Sequence, residues 1–247
     1  NLPDDPTDTT ADLHPVSLGS NNPGVFFTAA GVDSKGFEGT RALSYSILDA
    51  SNLWGGEYAV VSTNDLTGIY DWSEAEMAWF WISAKETNQS MGLEVFLHVS
   101  NGSFYLKTDA EYKVWTGGAV RTQTAAQRWG DRGKIVLASG FEGFIGIPFD
   151  SVAIMNGASA VADAPAYNLV WGIGINGYGS TGTVYLDEIW ITDSTSTPDV
   201  KLEETPYAYR LTDMENLPDD PEAPIWDSWQ IGLVRITAED GKGFGGS

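Results

Sequence analysis

No cysteine occurs in this chain, which excludes disulfide staples and thiolate metal sites together. Histidine is nearly as scarce: His14 and His98 are the only two. A histidine-rich metal site is therefore excluded, and a Ser-His-Asp arrangement has few ways to form. Positive charge is also short, with 13 Lys and Arg against 34 Asp and Glu and a net charge of −21. Phosphate backbones and anionic membranes attract basic proteins, so this balance argues against nucleic acid and anionic lipid as partners. It suits solubility, and fits a secreted protein. No apolar run approaches the ~20 residues that a membrane-spanning helix needs. Helical periodicity is weak, with room for a turn or two only in SEAEMAW and around TAAQRW. The signatures of nucleophile elbows, phosphate-binding loops and zinc proteases are missing. GIGINGYG is followed by a strand pattern, where a dinucleotide loop needs a helix. With 34 acids, some carboxylate pair will always be found, so a glycosidase is not argued by that signal. No enzyme is expected.

What is present is aromatic and β-rich. Hydrophobic residues make up 42% of the chain, with ten each of Trp, Tyr and Phe, enough for a real core. Strand-like runs occur at 25–30, 41–48, 57–62, 76–83, 92–100, 103–108, 111–116, 134–139, 141–149, 168–176 and 183–191. Turn chemistry separates them: Asn101 with Gly102, the glycine pair at 117–118, and NGYGSTG at 176–182. About ten short antiparallel strands at this spacing predict an all-β sandwich or barrel.

One hexapeptide is written twice. NLPDDP stands at Asn1 and again at Asn216, and the match continues from VFFTAAGVDSKGFEG (Val25) to VRITAEDGKGFGG (Val234). Two motifs in one order, with a shorter loop in the second copy, are how a repeated module looks. The reading is a module over 1–192, a polar linker with two prolines over 193–208, and the start of a second copy over 209–247. In the second copy a strand-like stretch, 209–215, precedes the hexapeptide, and the first copy lacks its counterpart. A sandwich missing its first strand has an open edge. Residues 209–215 either fold back to complete the first module or belong only to the second.

The order TAAGVDSKGFEGTRALSYSI, YDWSEAEMAWFWISA, GLEVFLHV, GFEGFIGIPFDS, GIGINGYGSTGTVYLDEIWI resembles jelly-roll modules of the carbohydrate-binding type. Such modules are carried by large secreted and cell-surface proteins of Gram-positive bacteria, beside glycoside hydrolases or dockerins. TDMEN at 212–216 resembles their opening strand and VYLDEIWI their closing one; the likeness covers about 28–191 and 211–220. It implies a jelly roll, an extracellular location and a polysaccharide or oligosaccharide partner. It also implies a structural calcium, held by an acid of each of those two strands and by carbonyls of the SKGFEGTRAL turn. Here those acids are Asp187 and Glu215, although the turn lacks the usual serines. Asp187 has a second reading, as an acceptor of backbone N–H bonds.

Sugar rings offer a flat apolar face and a rim of hydroxyls, which aromatic rings and polar side chains match. Alternation sorts the strand faces. Leu93, Val95, Leu97 and Val99 form a core face, leaving Glu94, Phe96 and His98 on the other. Ala78, Phe80 and Ile82 oppose Met77, Trp79 and Trp81. Trp79 and Trp81 beside Phe96 and His98 would make a stacking platform, unless a second layer buries them. A loop platform is the other candidate: Trp115 and Trp129 stand near Arg121, Arg128 and Arg132, where an arginine either bonds sugar hydroxyls or pins the loop by a cation–π contact. Trp54 is a third loop possibility, and Trp72 reads as structural. The rival function is a spacer or adhesin repeat that binds no glycan, its aromatics all core. Burial separates the two.

Overall fold

The computed structural model describes residues 16–20, 27–48, 56–61, 72–73, 75–99, 102–155, 165, 170–178, 180–195, 197–198 and 209–212, and among them stand sixteen strands, the central ones built on alternating apolar residues. They are β1 (Val16–Ser20), β2 (Phe27–Val32), β3 (Ala42–Ile47), β4 (Gly56–Val61), β5 (Met77–Ser83), β6 (Met91–Val99), β7 (Gly102–Leu106) and β8 (Glu111–Trp115). The rest are β9 (Val120–Thr124), β10 (Ala126–Trp129), β11 (Arg132–Leu137), β12 (Glu142–Pro148), β13 (Val152–Met155), β14 (Val170–Tyr178), β15 (Gly182–Thr192) and β16 (Tyr209–Thr212). The first sheet runs β1-β4-β14-β6-β11-β10, with β7 beside β6 and β13 beside β7. The second runs β2-β3-β15-β5-β12-β8-β9, with β16 beside β15. Every pairing in both sheets is antiparallel. The chain crosses between sheets along β3, β4, β5 and β6, and again along β11, β12, β14 and β15, which is the winding of a jelly roll.

The core lies between the sheets. Leu93, Val95, Leu97 and Val99 of β6 face Ala78, Phe80 and Ile82 of β5, joined by Ile135, Ile145, Leu186 and Ile191. Both faces are the ones alternation assigns. Trp72 stacks on Phe149, with ring centres 5.7 Å apart, and belongs to this core. Each strand expected from the sequence has an observed counterpart. The sequence reading lacked β1, β9, β10 and β13 as strands. TAAQRW, read as room for a helical turn, is extended across β9 and β10. β9 is an edge strand exposed at every residue, so VRTQT carries no apolar period to read. The described part of SEAEMAW enters β5 without helix.

Every residue of β5 is buried, on both faces. The outward face of the second sheet carries its own apolar layer: Met77, Trp79, Trp81, Phe144, Tyr185 and Trp190, with Phe37 and Trp115 half-buried against it. The Trp79 ring lies across Gly146 of β12, where a Cβ would come within 2.8 Å of three ring carbons. Glycine is the only residue that admits a ring so close.

β15 carries a bulge. Asp187 pairs with Trp81 and Ile189 with Phe80, leaving Glu188 extra at φ 47°. On its other edge β15 changes partner at the same place. β3 pairs with Gly182 to Leu186, and β16 pairs with Ile189 to Ile191. Among the described residues no helix is long and apolar enough to cross a membrane.

Candidate binding site

The two sheets share one core, so their outward faces look in opposite directions. β5 lies in the second sheet and β6 in the first. The platform of Trp79 and Trp81 with Phe96 and His98 is therefore not assembled. Trp79 is 1% exposed and Trp81 4%, both within the second sheet's outer layer. Phe96 is fully buried on the first sheet. His98 pairs in register with Gly172 and Ser103, and its side chain lies outside the described residues, as do Trp54 and Glu215. The loop platform divides as well. Trp115 ends β8 in the second sheet, whereas Arg128 and Trp129 end β10 in the first.

Around Trp129 the first sheet builds an ordered stack. The register of β6 on β7 sets Tyr105 opposite Phe96, and their ring centres are 5.3 Å apart. The Arg132 guanidinium lies 3.6 Å over the Tyr105 ring and 5.6 Å from the Trp129 ring. Trp129 is paired with Arg132 across the β10–β11 hairpin. The register slips between Gln127 and Trp129, and this extra residue lets Arg128 reach the same face. Glu94 Oε1 lies 3.3 Å from Arg128 Nε and 3.7 Å from Arg132 Nη1, and all three side chains are buried. Burial pushes the Glu94 carboxyl above its ordinary range, against the pull of the two arginines. Trp129, at the outer end, is 51% exposed. The result is an indole at the surface, backed by an arginine that a buried carboxylate and a tyrosine ring hold in place. Tyr105 was missed from the sequence. Its signal was in the sequence, where Asn101 and Gly102 separate two strand-like runs as hairpin partners are separated.

The opposite face has a cleft of about 600 Å³, with Trp81, Trp115 and Tyr185 among its walls and Lys85, Glu86 and Glu142 on its rim. Lys35 pairs with Glu86, and Lys85 with Glu142 at 2.5 Å. The Tyr185 hydroxyl donates to Glu86 at 2.5 Å. Burial first, then Glu86, pushes Tyr185 up to about 12. The bond from Lys35 holds the Glu86 carboxyl below its ordinary value, the reverse of what a general acid needs.

Asp187 is fully buried behind this cleft. Its Oδ2 accepts from Phe37 N–H and from the Thr40 hydroxyl, each at 2.8 Å; its Oδ1 accepts from Glu188 N–H at 2.8 Å. Burial pushes its carboxyl to about 7. Among the described residues no cationic side chain offsets it. A Cβ on Gly36 would lie no more than 2.7 Å from Asp187 Oδ2, the Arg41 carbonyl and Thr40 Oγ1. A carboxylate, a carbonyl and a hydroxyl oxygen converging this closely, with no cationic side chain beside them, are the donor type a hard divalent cation takes. Among the described residues no cluster of three or more His, Cys, Asp or Glu joins them.

No known protein family profile matches the chain, and no curated protein matches it. Solved structures do. A family 11 carbohydrate-binding module from Clostridium thermocellum, in complex with a β-1,3-1,4-mixed-linked tetrasaccharide, is 15% identical, with a TM-score of 0.42 over 75% of this chain and 92% of that one. The family 30 module of a cellulosomal cellulase of the same organism is 15% identical, with a TM-score of 0.39 over 74% and 94%. The CBM22-1–GH10 part of its xylanase 10B, complexed with xylohexaose, is 13% identical over 70% of this chain, which spans 26% of that one, with a TM-score of 0.36.

Proposed function

We propose that the chain is a non-catalytic polysaccharide-binding module of an extracellular protein, and that Trp129 is its principal sugar contact. The observation that carries this reading is a half-exposed indole backed by Arg132, which Tyr105 and Glu94 hold in place before any ligand arrives. A sugar ring stacks on the exposed half of the indole, and the buried Arg132 backs the ring from behind. Because Arg132 backs one face of the indole in advance, less side-chain entropy is lost on binding than for an unbacked indole. Such a module keeps an attached enzyme or the cell near its glycan.

Affinity electrophoresis through gels containing single polysaccharides tests this. The wild type is expected to be retarded by one class of glycan. Trp129→Ala should weaken that binding about 30-fold, the equivalent of a ~2 kcal/mol interface anchor, without moving the melting temperature. Trp115→Ala, on the opposite sheet, should bind as the wild type. The rival spacer reading draws on the burial of Trp79, Trp81 and Phe96. No retardation on any glycan, or full retardation of Trp129→Ala, would favour it.

A structural calcium at Asp187 belongs to the same reading, with Thr40 and the Arg41 carbonyl as neighbouring oxygens. The ion would supply the positive charge that the buried carboxylate lacks. At pH 8, calcium at a hundred times its dissociation constant should stabilise the fold by about 2.7 kcal/mol over the chelated protein. Asp187→Asn should abolish that difference. Coincident melts with calcium and with chelator would remove the ion from the account.

A further inference from the structure

The edge of β15 has two occupants of different origin. β3, from within the first module, covers Gly182 to Leu186, and β16 covers Ile189 to Ile191. By sequence β16 belongs elsewhere. It runs straight into the second NLPDDP, whose first copy stands at Asn1, so it is the opening strand of the second copy. The connection supports this. Antiparallel neighbours need about 2–5 residues between them, whereas 193–208 separate β15 from β16 with a polar, proline-bearing sequence. A hairpin loop has no need of that length, and a tether between modules does.

We propose that the 189–191 edge of β15 is a strand-acceptor site, and that its partner is the opening strand of the following copy in the same polypeptide. Each copy then completes the one before it. Ile189, Trp190 and Ile191 are all buried, so without β16 their outer backbone groups would form an open ladder beside the core. Filling it joins consecutive modules through main-chain hydrogen bonds as well as through the linker. The bulge at Glu188 marks where the acceptor begins, because the two partners of this edge meet there. Supply in cis outcompetes a second molecule, since a short tether gives an effective concentration of about millimolar.

Cleavage at a protease site inserted between Val200 and Lys201 tests this in the otherwise intact chain. The C-terminal fragment is expected to co-elute with the larger one in native gel filtration and to leave only in denaturant. In Arg210→Pro, whose ring removes a ladder N–H opposite Trp190, the fragments should separate natively. A fluorescent peptide of residues 207–216 should then bind the uncleaved Arg210→Pro chain and raise its melting temperature, while the uncleaved wild type, its site filled, takes up at least tenfold less. Native separation of the wild-type fragments, or co-elution unchanged by Arg210→Pro, would overturn the proposal.

Discussion

Arg132→Leu is expected to cost about 3–5 kcal/mol of stability at pH 8 and clearly less at pH 5. Arg132 is buried, shares Glu94 with Arg128 and covers the Tyr105 ring. Leucine keeps much of the volume and removes the charge. The Glu94 carboxyl, already raised by burial, then loses part of the attraction that opposes the rise. A carboxyl whose folded pKa lies above its unfolded value favours folding most below the unfolded value. That contribution is lost as pH rises through the folded one. The variant should therefore melt closest to the wild type in acid and fall furthest behind above neutrality. Trp129 also loses its backing, so glycan retardation should weaken in the folded fraction. Equal losses at both pH values would mean that Arg132 contributes packing alone and that Glu94 takes no part.

The second large effect is Trp79→Ala, at about 3–5 kcal/mol. The ring is 1% exposed and lies over Gly146 in the outer layer of the second sheet. No neighbour is placed to collapse into the space, because the layer is anchored to strands on both sides: β15 and β12 flank β5. Urea denaturation should show the whole loss. Retardation per folded molecule should stay at the wild-type value, since Trp79 stands on the sheet opposite Trp129. Weakened glycan binding at unchanged stability would return Trp79 to the binding face and remove Trp129 as the principal sugar contact.

Much of the fold was legible along the chain. The run from Leu93 to Val99 alternates cleanly, and its core face is the one observed. Turn residues marked most strand ends. The edge strands β9 and β10 were not legible, because solvent on both sides of VRTQT leaves no apolar period. Of the candidate site, Glu94 was named with one set of rings and Arg128 and Trp129 with another, and the structure brings Glu94 against Arg128. Their meeting depends on a bulge in β10 and on β11 lying beside β6, neither of which is a local property. Trp79 and Trp81 shared a strand face, which alternation found, but alternation has no means of telling an outward face from a solvent-exposed one. Trp115 and Trp129 are close in sequence and on different sheets, because the chain crosses the sandwich after β9.

By itself, then, the sequence determined a cysteine-free, acidic, all-β chain, which strand faces are apolar, and that NLPDDP is written at Asn1 and again at Asn216. Those are statements about composition, a two-residue period and a repeat, all of which survive in any conformation. Only the tertiary structure decided which sheet each strand joins, which aromatic rings a second layer covers, and that the edge of β15 takes its last strand from residues 209–212. Sheet membership rests on hydrogen bonds between residues far apart in the chain, and burial rests on what the other side of the molecule brings to each face.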